Sequence, residues 1–217
     1  VTNPAAFIRA NSALASPPLV PEIKLHLATE VVPLWRRTEE ELAAEGVPPP
    51  YWAFAWAGGQ ALARYVLDHP KIVAQRSVLD FGSGSGLVAI AAAKAGAERV
   101  TAADVDVFAQ VAIKLNATAN AAIVDTTTAD LIGSDGNWQT ILVGDMCYER
   151  PLADRLLAWL SDRAAHGANV FLGDPGRSYF PKSGVEKLAT YHVQTTRDLE
   201  DREIRETSVY ELMAAEN

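Results

Sequence analysis

The sequence predicts an α/β fold: a mainly parallel sheet flanked by helices and closed by a C-terminal antiparallel hairpin. Three features carry that expectation. From Ser77 onward, short apolar runs alternate with longer stretches of helical periodicity, the rhythm of parallel strands joined by right-handed crossovers. A glycine-rich turn, "GSGSG" at Gly82 to Gly86, stands where the first of these runs gives way to a helix. Two strand-like runs separated by a charged turn end the chain.

The elements follow in order. In "EIKLHLAT", Ile23, Leu25 and Leu27 alternate with polar residues, which predicts a short half-buried strand. "TEEELAAEG" predicts a helix, with Thr38 and Glu41 at capping-box spacing and Gly46 as its stop. The prolines of "VPPPYWAFAWAGG" forbid a helix there, and "GGQALARYVLDH" predicts one from Gly58 to His69, ended by Pro70. "SVLDF" is a buried strand and "GLVAIAAAKAG" its following helix. "RVTAAD" and "VFAQVAIKLNATAN" repeat the pattern, "DTTTAD" is a third strand and "WQTILVGD" a fourth. "PLADRLLAWLSDRAAHG" is an amphipathic helix and "ANVFLGD" a fifth strand. "LATYHVQTTR" and "EIRETSVYELMA" form the hairpin around "DLEDR".

Composition narrows the function classes. The chain has 217 residues, 49% of them hydrophobic, enough for the core of one domain. A formal charge of −8 argues against nucleic acid as the main partner. Cys147 is the single cysteine, so no internal disulfide or cysteine-built zinc site forms. Four scattered histidines (His26, His69, His166, His192) lack ligand spacing, and no metal is expected. No uncharged apolar run approaches the ~18 residues that span a membrane. The first twenty residues carry a single basic residue, Arg9, which suits neither a transit peptide nor a secretory signal. A cytoplasmic protein is expected.

The glycine turn lets the backbone turn tightly and approach a ligand. Two ligand classes compete for it. Gly84, Gly86 and Ala89 satisfy the dinucleotide fingerprint, with Asp104, 20 residues beyond Gly84, placed to grip ribose hydroxyls. Asp80, however, lies at the strand end two residues before the turn. A carboxylate ~5 Å from a pyrophosphate costs about 3 kcal/mol at an effective dielectric of ~20. The same carboxylate welcomes the ammonium of S-adenosylmethionine, which has no phosphate and keeps a ribose. The acid favours that methyl donor over NAD.

With these residues in hand, "VLDFGSGSG" and "VTAADVD" resemble the cofactor loop and second strand of the class I, seven-stranded, Rossmann-like methyltransferases. The likeness implies that Asp104 and Val105 meet the ribose side, and that Asp130 faces the adenine amino group. Gly82, Ser83 and Gly84, with Asp80 and Gly144, would surround the rest of the cofactor. Asp106 rivals Asp104, but reads first as a helix-start acid favoured by the macrodipole. At the end of the fourth strand, Asp145 and Tyr148 fit D-x-x-Y, similar to the signature of seven-stranded lysine methyltransferases. There Asp145 would position the lysine and Tyr148 wall its channel.

"PPYWAFAWAGGQALARYVLDHP", "KLNATAN" and "LGDPGRSYFP" further resemble the methyltransferases of the electron transfer flavoprotein β subunit. That resemblance implies a protein-lysine methyltransferase acting near the β subunit's dehydrogenase-recognition loop, in the mitochondrial matrix if the source is eukaryotic. It sets Trp56 and the Gly58-Gly59 segment, Gly59 included, against the cofactor. It divides the chain into an N-terminal extension (1–47) and a catalytic core (48–217). Asp174-Pro175-Gly176 reads as a turn, with Arg177 and Tyr179 offered as substrate contacts. Cys147 reads as a small core residue, and His192 as half-exposed. A ribosomal-protein or small-molecule acceptor stays open, as does an NAD-binding module.

Overall fold

The computed structural model describes residues 3–28, 34, 37, 39–44, 46–195 and 204–214. The chain opens with helix α1 (Pro4–Ala10), whose N-cap Asn3 accepts from the Ala6 N–H and whose first turn holds Pro4. Strands β1 (Ala13–Ala15) and β2 (Leu25–Leu27) then pair antiparallel in a small ribbon of their own. The alternation that predicts β2 is sound, since Ile23, Leu25 and Leu27 are all buried. The sequence reading assigns no counterpart to α1 or β1. Helix α2 (Glu39–Ala44) stops before Gly46, which takes φ +70°. Thr38 of the expected capping box lies outside the described residues, as does the charged turn at 198–202.

A single tight turn at Tyr51–Ala53 follows the prolines, and helix α3 (Ala57–Asp68) ends at His69 before Pro70. From there the expected alternation holds: β3 (Ser77–Phe81), α4 (Leu87–Lys94), β4 (Arg99–Ala103), α5 (Val107–Ala119), β5 (Asp125–Thr127), β6 (Thr140–Gly144), α6 (Arg150–Ala165) and β7 (Asn169–Asp174). The hairpin is β8 (Val185–Gln194) and β9 (Ile204–Leu212). Among the described residues the main sheet has seven strands, in the order β5-β4-β3-β6-β7-β9-β8. All pairs from β5 to β7 are parallel, and β9 runs antiparallel to both its neighbours.

Alternation along the strands divides the core. Val78, Leu142 and Phe171 face α3 and α4, while Leu79, Ile141, Val143, Val170 and Leu172 face Leu156, Trp159 and Leu160 of α6. Helix α5 serves two neighbours. Ile113 and Ala117 join the sheet core, whereas Phe108, Ala109 and Ala112 pack with Phe7, Ile8, Leu34, Leu42 and Trp52 of the N-terminal region.

Two asparagines one helical turn apart bind that region to α5. Asn116, fully buried, accepts the His26 N–H at 2.7 Å and donates to the Ser85 carbonyl at 2.8 Å. Asn120 accepts from the Lys24 N–H and returns a bond to its carbonyl. Asn116→Ala leaves a strand N–H and a loop carbonyl unpaired and should lower the unfolding free energy by about 2 kcal/mol. Asn120→Ala, whose bonds lie at the surface, should cost below about 1 kcal/mol. Urea titration of both variants checks the difference; equal losses would contradict it.

Candidate active site

The strand order reverses beside β3, which has β4 on one side and β6 on the other; ligand crevices of open α/β sheets form beyond the carboxyl ends at such a point. The glycine turn leaves β3 there. The N–H groups of Gly82 and Ser83 both donate to the Ala103 carbonyl, and Gly84 donates to an Asp104 oxygen at 2.8 Å. Gly82 takes φ +66°, and a methyl on it would overlap the Met146 sulfur. The other Asp104 oxygen accepts the Asp106 N–H at 3.0 Å. Asp106 caps α5 by accepting from Phe108, as expected of a helix-start acid.

Beyond this turn lies a cavity of about 610 Å³, within the roughly 300–1,000 Å³ usual for small-molecule sites. Its wall includes Trp56, Gly82, Gly84, Asp104, Val105, Asp130, Gly144, Asp145 and Tyr148 among the residues singled out from sequence. Gly59, Asp80 and Ser83 line a small adjoining recess of about 40 Å³ that shares Gly84, Gly144 and Asp145 with it. Burial pushes the Asp104 carboxyl up, against its two backbone N–H donors. Asp130 also lines the cavity, half-exposed; the Ile132 N–H and then Arg155, 3.0 Å away, hold its carboxyl below the usual range. Val105 is 69% exposed, a rim residue.

A second set of contacts is built around Asp145. Gly58 and Gly59 begin α3 so close to the sheet that a methyl on Gly58 would strike the Gly173 carbonyl and the Asp145 carboxylate, and one on Gly144 would meet Gly59 at 3.0 Å. The α3 terminus thereby reaches Asp145: one carboxylate oxygen accepts the Gly59 N–H at 3.0 Å. Asp145 itself takes φ +58°, a left-handed conformation that Asp tolerates better than most side chains. Its other oxygen receives Arg177 Nε at 3.0 Å and Nη2 at 2.7 Å. Arg177 is delivered by the expected turn, where Asp174 accepts the Gly176 and Arg177 N–H groups, both at 2.7 Å. The guanidinium also lies 5.8 Å from the Trp56 ring centre.

The aromatic side of the cavity extends beyond the residues that the sequence points to. Tyr148, 45% exposed, has its ring 6.2 Å from Tyr51, which in turn stands 6.0 Å from Trp56. Tyr51, Trp52, Met146 and Arg155 line the cavity without having been singled out; Arg155 in particular carries no motif, and α6 alone brings it to Asp130. Arg177, offered as a substrate contact, is paired with Asp145, and Tyr179 is exposed away from the cavity wall. Cys147 is buried with its thiol pushed up to about 12, which suits a core residue rather than a nucleophile. His192 is exposed on β8. Among the described residues no cluster of three metal-ligating side chains occurs, and no helix is long and apolar enough to cross a membrane.

Asp80 is fully buried, and one of its oxygens accepts both the Ser83 hydroxyl and the Ala89 N–H, the latter at 2.9 Å. Burial is the largest cause of its carboxyl being pushed up to about 7. The folded protein therefore binds this proton more tightly than the unfolded chain. The stabilisation is complete below about pH 4 and is lost as pH rises toward about 7. In Asp80→Asn, which keeps an oxygen for Ala89, that dependence should vanish. The stability of wild type relative to the variant should fall between about pH 4 and about pH 7, measured by urea unfolding at each pH. A constant difference would show that Asp80 stays ionised.

Comparison with known proteins gives this site a family. The profile of the family described as "Ribosomal protein L11 methyltransferase (PrmA)" matches residues 60–141. Magnesium protoporphyrin IX methyltransferase from Synechocystis PCC 6803, solved with bound SAM, superposes with a TM-score of 0.53 over 72% of this chain and 78% of its own, at 19% identity, which shows the shared fold. The Xenopus laevis protein named "Electron transfer flavoprotein beta subunit lysine methyltransferase" is 40% identical over 216 residues, 96% of this chain and 87% of its own. Its Danio rerio namesake is 43% identical over 185 residues, 83% of this chain and 70% of its own. The chain belongs to the electron transfer flavoprotein β subunit lysine methyltransferase family.

Proposed function

We propose that this protein transfers a methyl group from S-adenosylmethionine to lysine amines of the electron transfer flavoprotein β subunit, near the loop that recognises its dehydrogenases. The observation that carries the reading is one cavity whose wall holds the glycine turn, Asp104, Asp145 and Tyr148 together.

The residues suit this donor. Asp104 faces the cavity as an acceptor for ribose hydroxyls, and Asp130 for an adenine amino group. Trp52 is on the cavity wall, and its buried indole N–H has no acceptor among the described residues. The turn itself contains glycine and serine alone, with no cation for a phosphate. When bound, S-adenosylmethionine supplies an electrophilic methyl carbon, which the amine lone pair takes as the carbon–sulfur electron pair stays on sulfur.

The protein's own task is to align the amine and keep it neutral. A free lysine at neutral pH is ~0.1% neutral amine. Asp145 accepts an N–H of the incoming amine and fixes its direction, while Tyr148 and Tyr51 form an aromatic wall along its path. Most of the acceleration comes from holding nitrogen and methyl in line.

Titration separates the two cofactor classes. S-adenosylhomocysteine should bind in the micromolar range and NADH should not. Asp104→Ala should weaken the former at least about tenfold, the loss of a charged hydrogen-bond acceptor. Preferential binding of NADH would overturn the cofactor. For the reaction, methyl-labelled donor is mixed with purified electron transfer flavoprotein and the label mapped by mass spectrometry. Methyl-lysine on the β subunit is expected, reduced about 100-fold or more by Asp145→Ala. Label on a different protein of a cell extract would keep the chemistry and replace the substrate; label on no lysine would overturn the reading.

A further inference from the structure

We infer that Arg177 sets the protonation state of the target amine: by holding Asp145 as one half of an ion pair, it makes the site receive a neutral amine instead of an ammonium. The inference rests on the proposed methylation of lysine beside Asp145.

A lone buried carboxylate at this position would work against the reaction. It would bind the lysine ammonium, raise its pKa and lock up the lone pair that must attack. The geometry removes that conflict. One Asp145 oxygen is occupied by the Gly59 N–H at the positive end of α3, and the other by two nitrogens of Arg177. Both side chains are mostly buried, at 18% and 9% exposed, so water screens the pair weakly. An entering lysine thus meets a carboxylate whose charge is already matched. A second cation gains little there and lies close to the guanidinium. A neutral amine can still donate an N–H to the carboxylate and keep its lone pair free. The lysine releases its proton to solvent on entry, and the neutral nitrogen then forms the new bond.

The groups facing the pair support this balance. Asp174, at the end of β7, is 3% exposed, and its oxygen is taken by the Gly176 and Arg177 N–H groups. It does not line the cavity, and burial pushes its carboxyl up while the nearby Arg177 and Arg205 oppose that push. Cys147 and Tyr148, from the β6–α6 loop, both have acid groups pushed up by burial and are neutral. Trp56, before α3, offers its ring face to Arg177. Asp80 shares the small recess with Asp145 and Asp104 shares the cavity wall, and each is tied to backbone N–H donors.

The test is the pH dependence of kcat and KM for Arg177→Met and Arg177→Lys on the flavoprotein, with S-adenosylhomocysteine binding as a check that the cavity is intact. For Arg177→Met, kcat near neutral pH should fall about tenfold without a rise in KM. The deficit should close as pH rises, because the apparent pKa of the amine moves up by about one unit. Arg177→Lys should restore most of the loss. A deficit that is the same at every pH would mean a structural role and overturn the inference. A lower KM with unchanged kcat would overturn it too, since Arg177 would then be a placeholder that lysine displaces. A wild-type enzyme that labels no lysine would sink the proposed function itself. An active wild type with a pH-independent variant would sink this inference alone.

Discussion

The approach of Gly58 and Gly59 at the start of α3 to Gly144 and Gly173 at the ends of β6 and β7 is the contact on which the site geometry depends. A methyl group at Gly58 or Gly173 would meet backbone atoms of the facing element, so α3 can lie on the strand ends only because hydrogens alone separate them. Three consequences follow from that seat. The Gly59 N–H reaches the Asp145 carboxylate; Trp56, one residue before α3, is set against the cavity; and Arg177, three residues beyond β7, comes within reach of both. Four residues without side chains thus position the charged and aromatic groups that would do chemistry.

Helix α5 plays the matching role for the glycine turn. Its cap Asp106 hangs from Asp104, which also holds the Gly84 N–H, so turn, second strand and helix start form one hydrogen-bonded unit. One turn from its end, Asn116 joins the Ser85 carbonyl of the same glycine turn to β2. The N-terminal region is therefore not a loose addition. It packs Phe7 and Ile8 with Phe108 and Ala109, and Trp52 beside them forms part of the cavity wall.

The repeating strands and helices were legible because each signal is local: period two in the strands, long apolar periodicity in the helices, glycine at the stops. So was the edge at which the cavity opens, since the carboxyl ends of parallel strands fix it. What sequence left out depends on contacts distant along the chain. Helix α1 is seven residues long and gains its stability by packing against α5, which no local pattern announces. The pairing of Arg177 with Asp145 joins positions 32 apart, and that of Arg155 with Asp130 joins positions 25 apart. The glycines of α3 looked like a helix start with cofactor contacts; their packing against β6 and β7 needs the fold.

The electrostatics of the glycine turn argue against a dinucleotide, although its glycine spacing fits one. In a dinucleotide-binding fold, the N-terminal N–H groups of the helix after the turn meet the pyrophosphate. Here that position is taken from within: Asp80 accepts the Ala89 N–H in the first turn of α4, together with the Ser83 hydroxyl, and is sealed from solvent. A phosphate would have to displace a carboxylate that cannot leave its strand, and would then face it. Burial already makes that carboxylate reluctant to ionise, and a neighbouring dianion would raise the cost further. A ligand that carries positive charge toward the turn and hydroxyls toward Asp104 incurs none of this penalty. The acid that reads in sequence as a direct ligand is, in the fold, a buried group bonded to the Ser83 hydroxyl and to the first turn of α4.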